Sequence, residues 1–235
     1  MSEFSYNEKY FEKIDSEHKA YWLGFLYADG YVEPIYRKDK IKGFRIEIGL
    51  SEIDRYLLEA FASDIETNAK ITDKINTANG KEYRSCRLRV NNTKMCRDLM
   101  ALGCTTKKSL TLTFPSCNIL PREYIRHFIR GYFDGDGCVH YKERCVIDNR
   151  NNKKYNRTDL LVAIVGTKDF LIELSKVLEQ ENIYFRFNKY GHCGQSFEIR
   201  LNKRNELFAF YNYLYSDATI FLERKKGKFE LAFNN

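Results

Sequence analysis

Two stretches of the chain, AYWLGFLYADGYV (residues 20–32) and HFIRGYFDGDGCV (residues 127–139), spell one pattern twice. Each reads as an apolar helix that stops at Asp-Gly and passes into an alternating, strand-like run. Asp15 and Ser16 are good N-caps for the first helix, with Glu17 in its opening turn. Gly30 is expected just past its end, in the left-handed conformation that glycine tolerates. Gly24 and Ala28 share one helix face, as do Gly131 and Gly135 in the second copy. Small residues at that spacing let two helices meet backbone to backbone.

Outward from these helices the halves continue in the same order. GLSEIDRYLLEAF from Gly49 aligns with IVGTKDFLIELSK from Ile164, and RLRVNNTKMCRDLMALG from Arg87 with EIRLNKRNELFAFYNYL from Glu198. Lys-Lys-Ser at 107–109 faces Lys-Lys-Gly at 225–227. A repeat this long is a duplicated domain and not a solenoid. Pro115 and Pro121 bracket PSCNILP, and residues before proline are pushed toward extended geometry. The expected organisation is a first half over 1–114, a linker over 115–122 and a second half over 123–235.

The strands are legible by alternation. Phe44, Ile46, Ile48 and Leu50 point one way, Arg45 and Glu47 the other; Cys86, Leu88 and Val90 alternate with Arg87 and Arg89. Phe197, Ile199 and Leu201 alternate with Glu198, Arg200 and Asn202. A period of two with one apolar face predicts antiparallel sheets covered by helices on one side. The segments 53–66 and 169–181 carry the three- and four-residue apolar spacing that supplies the cover. The fold class is α/β in the α+β sense, each half exposing a polar sheet face. Pro34 cannot donate to a ladder, which predicts an edge or a bulge there.

Composition bounds the function. The 235 residues are 43% hydrophobic and 15% aromatic, with only 3 prolines, which excludes low-complexity disorder. No apolar run approaches the ~18 residues a bilayer span needs, and the opening MSEFSYNEKYFEK lacks a signal-peptide core. A soluble, cytoplasmic location is expected, whether in a bacterium, a phage-infected cell or an organellar matrix. The 7 cysteines are irregularly spaced without a Cys-x-x-Cys pair, so free structural thiols are expected, and His192-Cys193 alone is too little for zinc. A net charge of +7 is a mild excess that hints at a polyanionic partner.

Asp29 and Asp136 each end a helix, where the dipole disfavours negative charge by ~0.3–1 kcal/mol. An unfavourable placement made twice asks for a compensating cation, and oxygen ligands point to Mg²⁺. Asp134 has no acidic counterpart, Tyr27 standing at its place, and reads as a structural acid.

WLGFLYADG and IRGYFDGDG resemble the two motifs of single-chain LAGLIDADG homing endonucleases. LGCTTKKSLTLTFP with REYIRHFIRGYFDGDG, and LYSDATIFLERKKGKF, resemble the linking and closing segments of such proteins. The resemblance implies αββαββα halves, the motif helices at their interface and two sheets forming a saddle over duplex DNA. It implies that Asp29 and Asp136, with Ala28 and Gly135 beside them, bind two or three divalent ions, Mg²⁺ with Mn²⁺ as substitute. Lys108 and Lys225 would support the chemistry, within clusters that also hold Lys107, Arg224 and Lys226. The implied reaction hydrolyses one phosphodiester per strand across the minor groove, leaving 3′ overhangs, in a monomer acting on a long asymmetric site.

Recognition would fall to the outward side chains, since a two-stranded ribbon fits the major groove. By alternation these are Tyr31, Glu33, Arg37, Arg45, Glu47, Arg87 and Arg89, then Cys138, His140, Lys142, Arg186, Asn188, Glu198 and Arg200. The basic tips YRKDKIKG and NRNNKKYNR suit phosphates. Three rivals share the motifs: an intein, disfavoured by ends without splicing residues; an intron RNA maturase; and a DNA-binding regulator without catalysis, disfavoured by intact acids in both copies.

Overall fold

The computed structural model describes residues 4–78, 80–105, 111–148, 150, 152–190 and 196–234. It falls into two compact units, residues 1–135 and 136–235. The first holds α1 (Glu17–Ala28), β1 (Tyr31–Arg37), β2 (Lys40–Ser51), α2 (Arg55–Asp64), β3 (Thr72–Ala78), β4 (Lys81–Val90), α3 (Thr93–Ala101) and nearly all of α4 (Ile125–Asp136). The second holds β5 (Gly137–Ile147), β6 (Lys154–Gly166), α5 (Lys168–Gln180), β7 (Arg186–Tyr190), β8 (Ser196–Leu201), α6 (Arg204–Tyr215) and α7 (Glu223–Asn234). The two sheets are antiparallel with orders β1-β2-β4-β3 and β5-β6-β8-β7, the same topology twice. The duplication read in the sequence is therefore a duplication of fold.

Alternation sorts the faces as expected. Ile46, Ile48, Leu50, Cys86, Leu88 and Val90 are buried under Leu57, Leu58 and Phe61 of α2 and Met95, Cys96 and Leu99 of α3. In the second unit Val162, Ile164, Ile199 and Leu201 lie beneath Phe170, Leu174 and Leu178 of α5 and Leu207, Phe210 and Leu214 of α6. Asn92 caps α3 by accepting from the Met95 N–H at 2.9 Å, and Thr167 caps α5 by accepting from Phe170 N–H at 3.3 Å. Burial pushes the Cys96 thiol up to about 12, with Cys104 adding to the shift, so it stays a neutral core group. Cys86, Cys96, Cys104, Cys117, Cys138 and Cys145 are all free; His192 and Cys193 lie outside the described residues.

Pro34 meets both expectations. Its strand β1 is the edge of the sheet, and the ladder to β2 shifts register between Ile35 and Tyr36. The hairpin closes on Lys38 and Asp39, both at positive φ, the twist that a two-residue turn requires.

Three elements depart from the sequence reading. Gly30 is not left-handed; α1 stops at Asp29, which has helical dihedrals of φ −97° and ψ −4°. Glycine is required there by space, because a Cβ would lie 2.4 Å from Leu26 Cδ2 and 2.6 Å from Leu26 Cα. A left-handed glycine does end α3: Gly103 is at φ +99°, and the Cys104 N–H donates back to Leu99 O at 2.8 Å. Helix α7, which the sequence pattern did not mark out, is anchored in the second unit by buried Phe229 and Ala232. Among the described residues no helix is long and apolar enough to cross a membrane.

Two glycines test the packing in opposite directions. A Cβ at Gly131 would lie 1.9 Å from Tyr21 O, whereas one at Gly227, inside α7, meets nothing within 4 Å. Gly131→Ala should cost about 1–3 kcal/mol by overpacking. Gly227→Ala should gain about 0.5–1 kcal/mol from helix propensity. Thermal unfolding checks this: Tm shifts of the same sign would contradict the packing.

A pH test comes from α1. His18 Nδ1 donates to Asp64 at 2.7 Å, and Trp22 Nε1 donates to the same carboxylate oxygen at 2.6 Å. The Asp64 hydrogen bond raises the His18 pKa above its ordinary 6.5, against the opposing effect of burial. A raised folded-state value means this stabilisation is complete below about pH 6.5 and lost as pH rises through the folded value. Partial exposure keeps the effect small. Urea midpoints of the native protein should fall with rising pH relative to His18→Gln; parallel profiles would contradict the pairing.

Candidate functional site

The site is built on the crossing of α1 and α4 in the first unit. A Cβ at Gly24 would lie 2.0 Å from Phe128 O and 2.8 Å from Tyr132 N. Reciprocally, Gly131 faces Tyr21 O and Phe25 N, and a Cβ at Gly135 would stand 2.3 Å from that of Ala28. The predicted small-residue stripes thus bring the two backbones into direct contact, with no side chain between them at these points. Helix α1 is buried on every side from Ala20 to Tyr27, covered by α4 on one face and by its own core on the other.

Charged groups are buried in the same crossing. Arg130 is 0% exposed; it donates to Glu17 at 2.6 Å and lies 3.0 Å from His127 Nδ1, with its guanidinium 5.5 Å from the centre of the Tyr21 ring. The Tyr21 hydroxyl donates to Asp134 at 3.0 Å. Asp134 is buried with a hydrogen-bond partner, which suits the structural role read from its lack of an acidic counterpart.

Asp29 and Asp136 end their helices as expected, and both are exposed. The Asp29 N–H donates to Phe25 O at 2.9 Å, so the main chain closes the helix and the carboxylate is on the surface. Ala28 and Gly135 are half-buried behind them. Among the described residues no three His, Cys, Asp or Glu side chains converge as a metal cage. A Mg²⁺ site needs none, because this ion takes one or two carboxylates and completes its shell with waters and substrate phosphate oxygens. The exposed carboxylates at the two helix ends fit that donor chemistry.

Of the lysines, Lys108 and its neighbour Lys107 lie outside the described residues. In the second cluster the three cations differ. Lys225 is 4% exposed in the first turn of α7 and Arg224 is exposed. Lys226 sits 4.2 Å from the Phe221 ring centre and 3.6 Å from Glu230. Lys228, which sequence reading passed over, donates to Val139 O at 3.0 Å and ties α7 to β5.

The outward sheet faces carry the predicted residues. Tyr31, Arg37 and Arg89 are exposed, as are Cys138, His140, Lys142, Arg186, Asn188 and Arg200. Glu33, Arg45, Glu47 and Arg87 are half-buried because they pair: Arg45 with Glu33, and Arg87 and Arg89 with Glu47 at 3.1 and 2.6 Å. Glu198 is 5% exposed and accepts from Arg200 Nε, so it does not stand out from the surface as the alternation predicted. Two groups were missed. Lys74 and Asn76 of β3 face outward opposite Ser85 and Tyr83, hidden in sequence by a strand without an apolar stripe. Arg144 and Asp159 join Arg157, already read as part of the basic tip, in a cluster beside His140 and Lys142 that lines a cleft of about 450 Å³ in the second unit. They lie where β5 and β6 extend beyond the core, and no buried neighbour marks the alternation.

The comparisons with known proteins agree with this architecture. Residues 123–205 match the LAGLIDADG-like domain family. Among solved structures, meganuclease I-SmaMI bound to uncleaveable DNA aligns over 93% of this chain and 90% of its own, with a TM-score of 0.59 and 11% identity. I-LtrWI, a LAGLIDADG homing endonuclease bound to target DNA, aligns over 97% and 90%, with a TM-score of 0.58 and 12% identity. I-AabMI, a LAGLIDADG meganuclease bound to uncleaved DNA, aligns over 88% and 86%, with a TM-score of 0.55 and 14% identity. No curated protein matches the chain in sequence. The fold, two copies of one helix-and-sheet unit, is the one seen in these LAGLIDADG meganuclease structures. The family match falls in the second half of the chain, and the structural likeness spans both halves.

Proposed function

We propose that the protein is a site-specific DNA endonuclease that hydrolyses one phosphodiester in each strand across the minor groove, leaving 3′ overhangs. One observation carries the reading: the two copies each present an acidic residue at the end of a motif helix, and the residues just before them, Ala28 and Gly135, are in contact. The reading joins Asp29 and Asp136, at the ends of α1 and α4, in one catalytic centre, within an organisation of halves 1–114 and 123–235 and a linker over 115–122.

Asp29 and Asp136, with the main chain of Ala28 and Gly135, would hold divalent ions, Mg²⁺ or Mn²⁺. Such ions when bound polarise the scissile phosphate and lower the pKa of water. The protein's own part is mostly electrostatic and positional. The carboxylates fix where the cations sit on the otherwise positive chain. Lys225, the buried cation of its cluster, has a restricted conformational range and is suited to stabilise charge on the phosphate or orient water; Lys108 takes the same part in the first copy. The two sheet faces read bases, while the hairpin tips around Lys38, Lys40 and Lys42, and around Lys153 and Lys154, grip phosphates.

The test uses the DNA flanking the gene, joined as an uninterrupted duplex. With Mg²⁺ the native protein should cut both strands. Asp29→Asn or Asp136→Asn should slow cleavage by roughly two orders of magnitude or more, with binding in Ca²⁺ changed only a few-fold. Binding should weaken linearly in log K against log salt, as phosphate contacts release counterions. Full cleavage by either variant would overturn the assignment of the acids.

A further inference from the structure

The two sheets carry one repeated device that the alternation pattern conceals. Arg89 of β4 and Arg200 of β8 occupy the same place in the two copies, as the alignment of RLRVNN from Arg87 with EIRLNK from Glu198 shows. Both guanidiniums are about half exposed, at 48% and 49%. Both donate through Nε to a carboxylate less exposed than the arginine itself, at 19% for Glu47 and 6% for Glu198. The carboxylate, however, comes from a different position in each copy. In the first sheet it is Glu47, directly across the ladder on β2. In the second it is Glu198, two residues back on the same strand, at the place that Arg87 fills in the first copy.

The same arginine held by the same atom, through unrelated residues, marks a geometry retained in both halves while the supporting sequence changed. We infer that Arg89 and Arg200 each read a guanine, one in each half of the target, and that Glu47 and Glu198 are positioning residues and not base contacts. This rests on the endonuclease reading and deepens it. The physical argument is a matter of donors. A guanidinium has five N–H donors in a rigid plane; with Nε engaged by the carboxylate, the two terminal amino groups remain as a forward-facing pair. That pair matches the O6 and N7 acceptors of guanine in the major groove. Fixing the side chain beforehand removes the rotamer entropy that a free arginine loses on binding. A carboxylate beside the arginine also weakens its attraction for phosphate, which favours a neutral base edge as its partner. Glu47 takes Arg87 on its other oxygen, so Arg87 shares this support, and its Nε is 3.1 Å away.

The experiment is selection of bound duplexes from a random library, with Ca²⁺ replacing Mg²⁺, followed by position-resolved base frequencies. The native protein should enrich a site with one near-invariant guanine in each half. Arg89→Lys keeps the charge and loses the fork; it should erase the preference at one of the two guanines by about ten- to a hundred-fold, with affinity for the guanine site falling by that factor and affinity for sites lacking that guanine little changed. Arg200→Lys should do the same at the other. Glu47→Gln should loosen the guanine preference assigned to Arg89 several-fold with affinity kept or raised, which a purely structural loss would not produce. Uniform weakening across all sequences in the arginine variants would make them phosphate contacts and overturn the inference alone. Enrichment of a site whose base preferences are unmoved in all three variants would do the same. Failure of the native protein to enrich any duplex would overturn the endonuclease reading together with it.

Discussion

The structure depends on a contact that has almost no chemistry in it: the backbone of α1 against the backbone of α4. Gly24 beneath Phe128 and Gly131 beneath Tyr21 leave no room for a single carbon more. Close approach of this kind maximises dispersion along the crossing and fixes the separation of the helices to within the size of a methyl group. A loosely packed pair would be free to slide or rotate. This one cannot do so without forcing backbone into backbone, and the residues that end the helices inherit that definition.

The crossing is also made specific by charge. Arg130 and Asp134 are buried on α4, against Glu17 and Tyr21 of α1. At the corresponding places α1 carries Leu23 and Tyr27. Pairing either helix with a copy of itself would bury a charge without its partner or leave a partner unused, a cost of several kcal/mol per ion. The duplicated halves have therefore diverged into complementary surfaces. The sheets diverged along another line. Both keep an arginine at one position, and each found its own carboxylate to hold it.

Much of this was legible in the sequence because the code was written twice. A lone Asp-Gly after an apolar run signifies a helix stop; its recurrence, with Gly24 and Ala28 matched by Gly131 and Gly135, signified paired helices. The alternation of Ile46, Ile48 and Leu50 with Arg45 and Glu47 placed the sheet faces without further help. What failed were the features that local pattern does not encode. Gly30 looked like a left-handed cap, but the demand on it is steric and comes from Leu26 one turn earlier. Glu198 obeys the alternation and yet is covered, because burial of an outward side chain depends on what lies over it, here Arg200. Lys74, Asn76 and Asp159 sit on strand segments beyond the core, where no apolar stripe reports the register. Helix α7 follows the last strand and helix of the repeat, where the matching residues 107–109 lie outside the described ones, and so fell outside the pattern that made the rest readable.

The account's central claim is that the two motif helices end in carboxylates that hold divalent cations. Titration of the full ¹⁵N-labelled chain with Mn²⁺ reads this directly, because paramagnetic broadening falls off steeply with distance from the ion. The account predicts that the amides of Gly30, Tyr31, Gly137 and Cys138 broaden first, and that Asp29→Asn and Asp136→Asn each weaken the effect. Broadening centred on other residues, or an unchanged pattern in both variants, would contradict it.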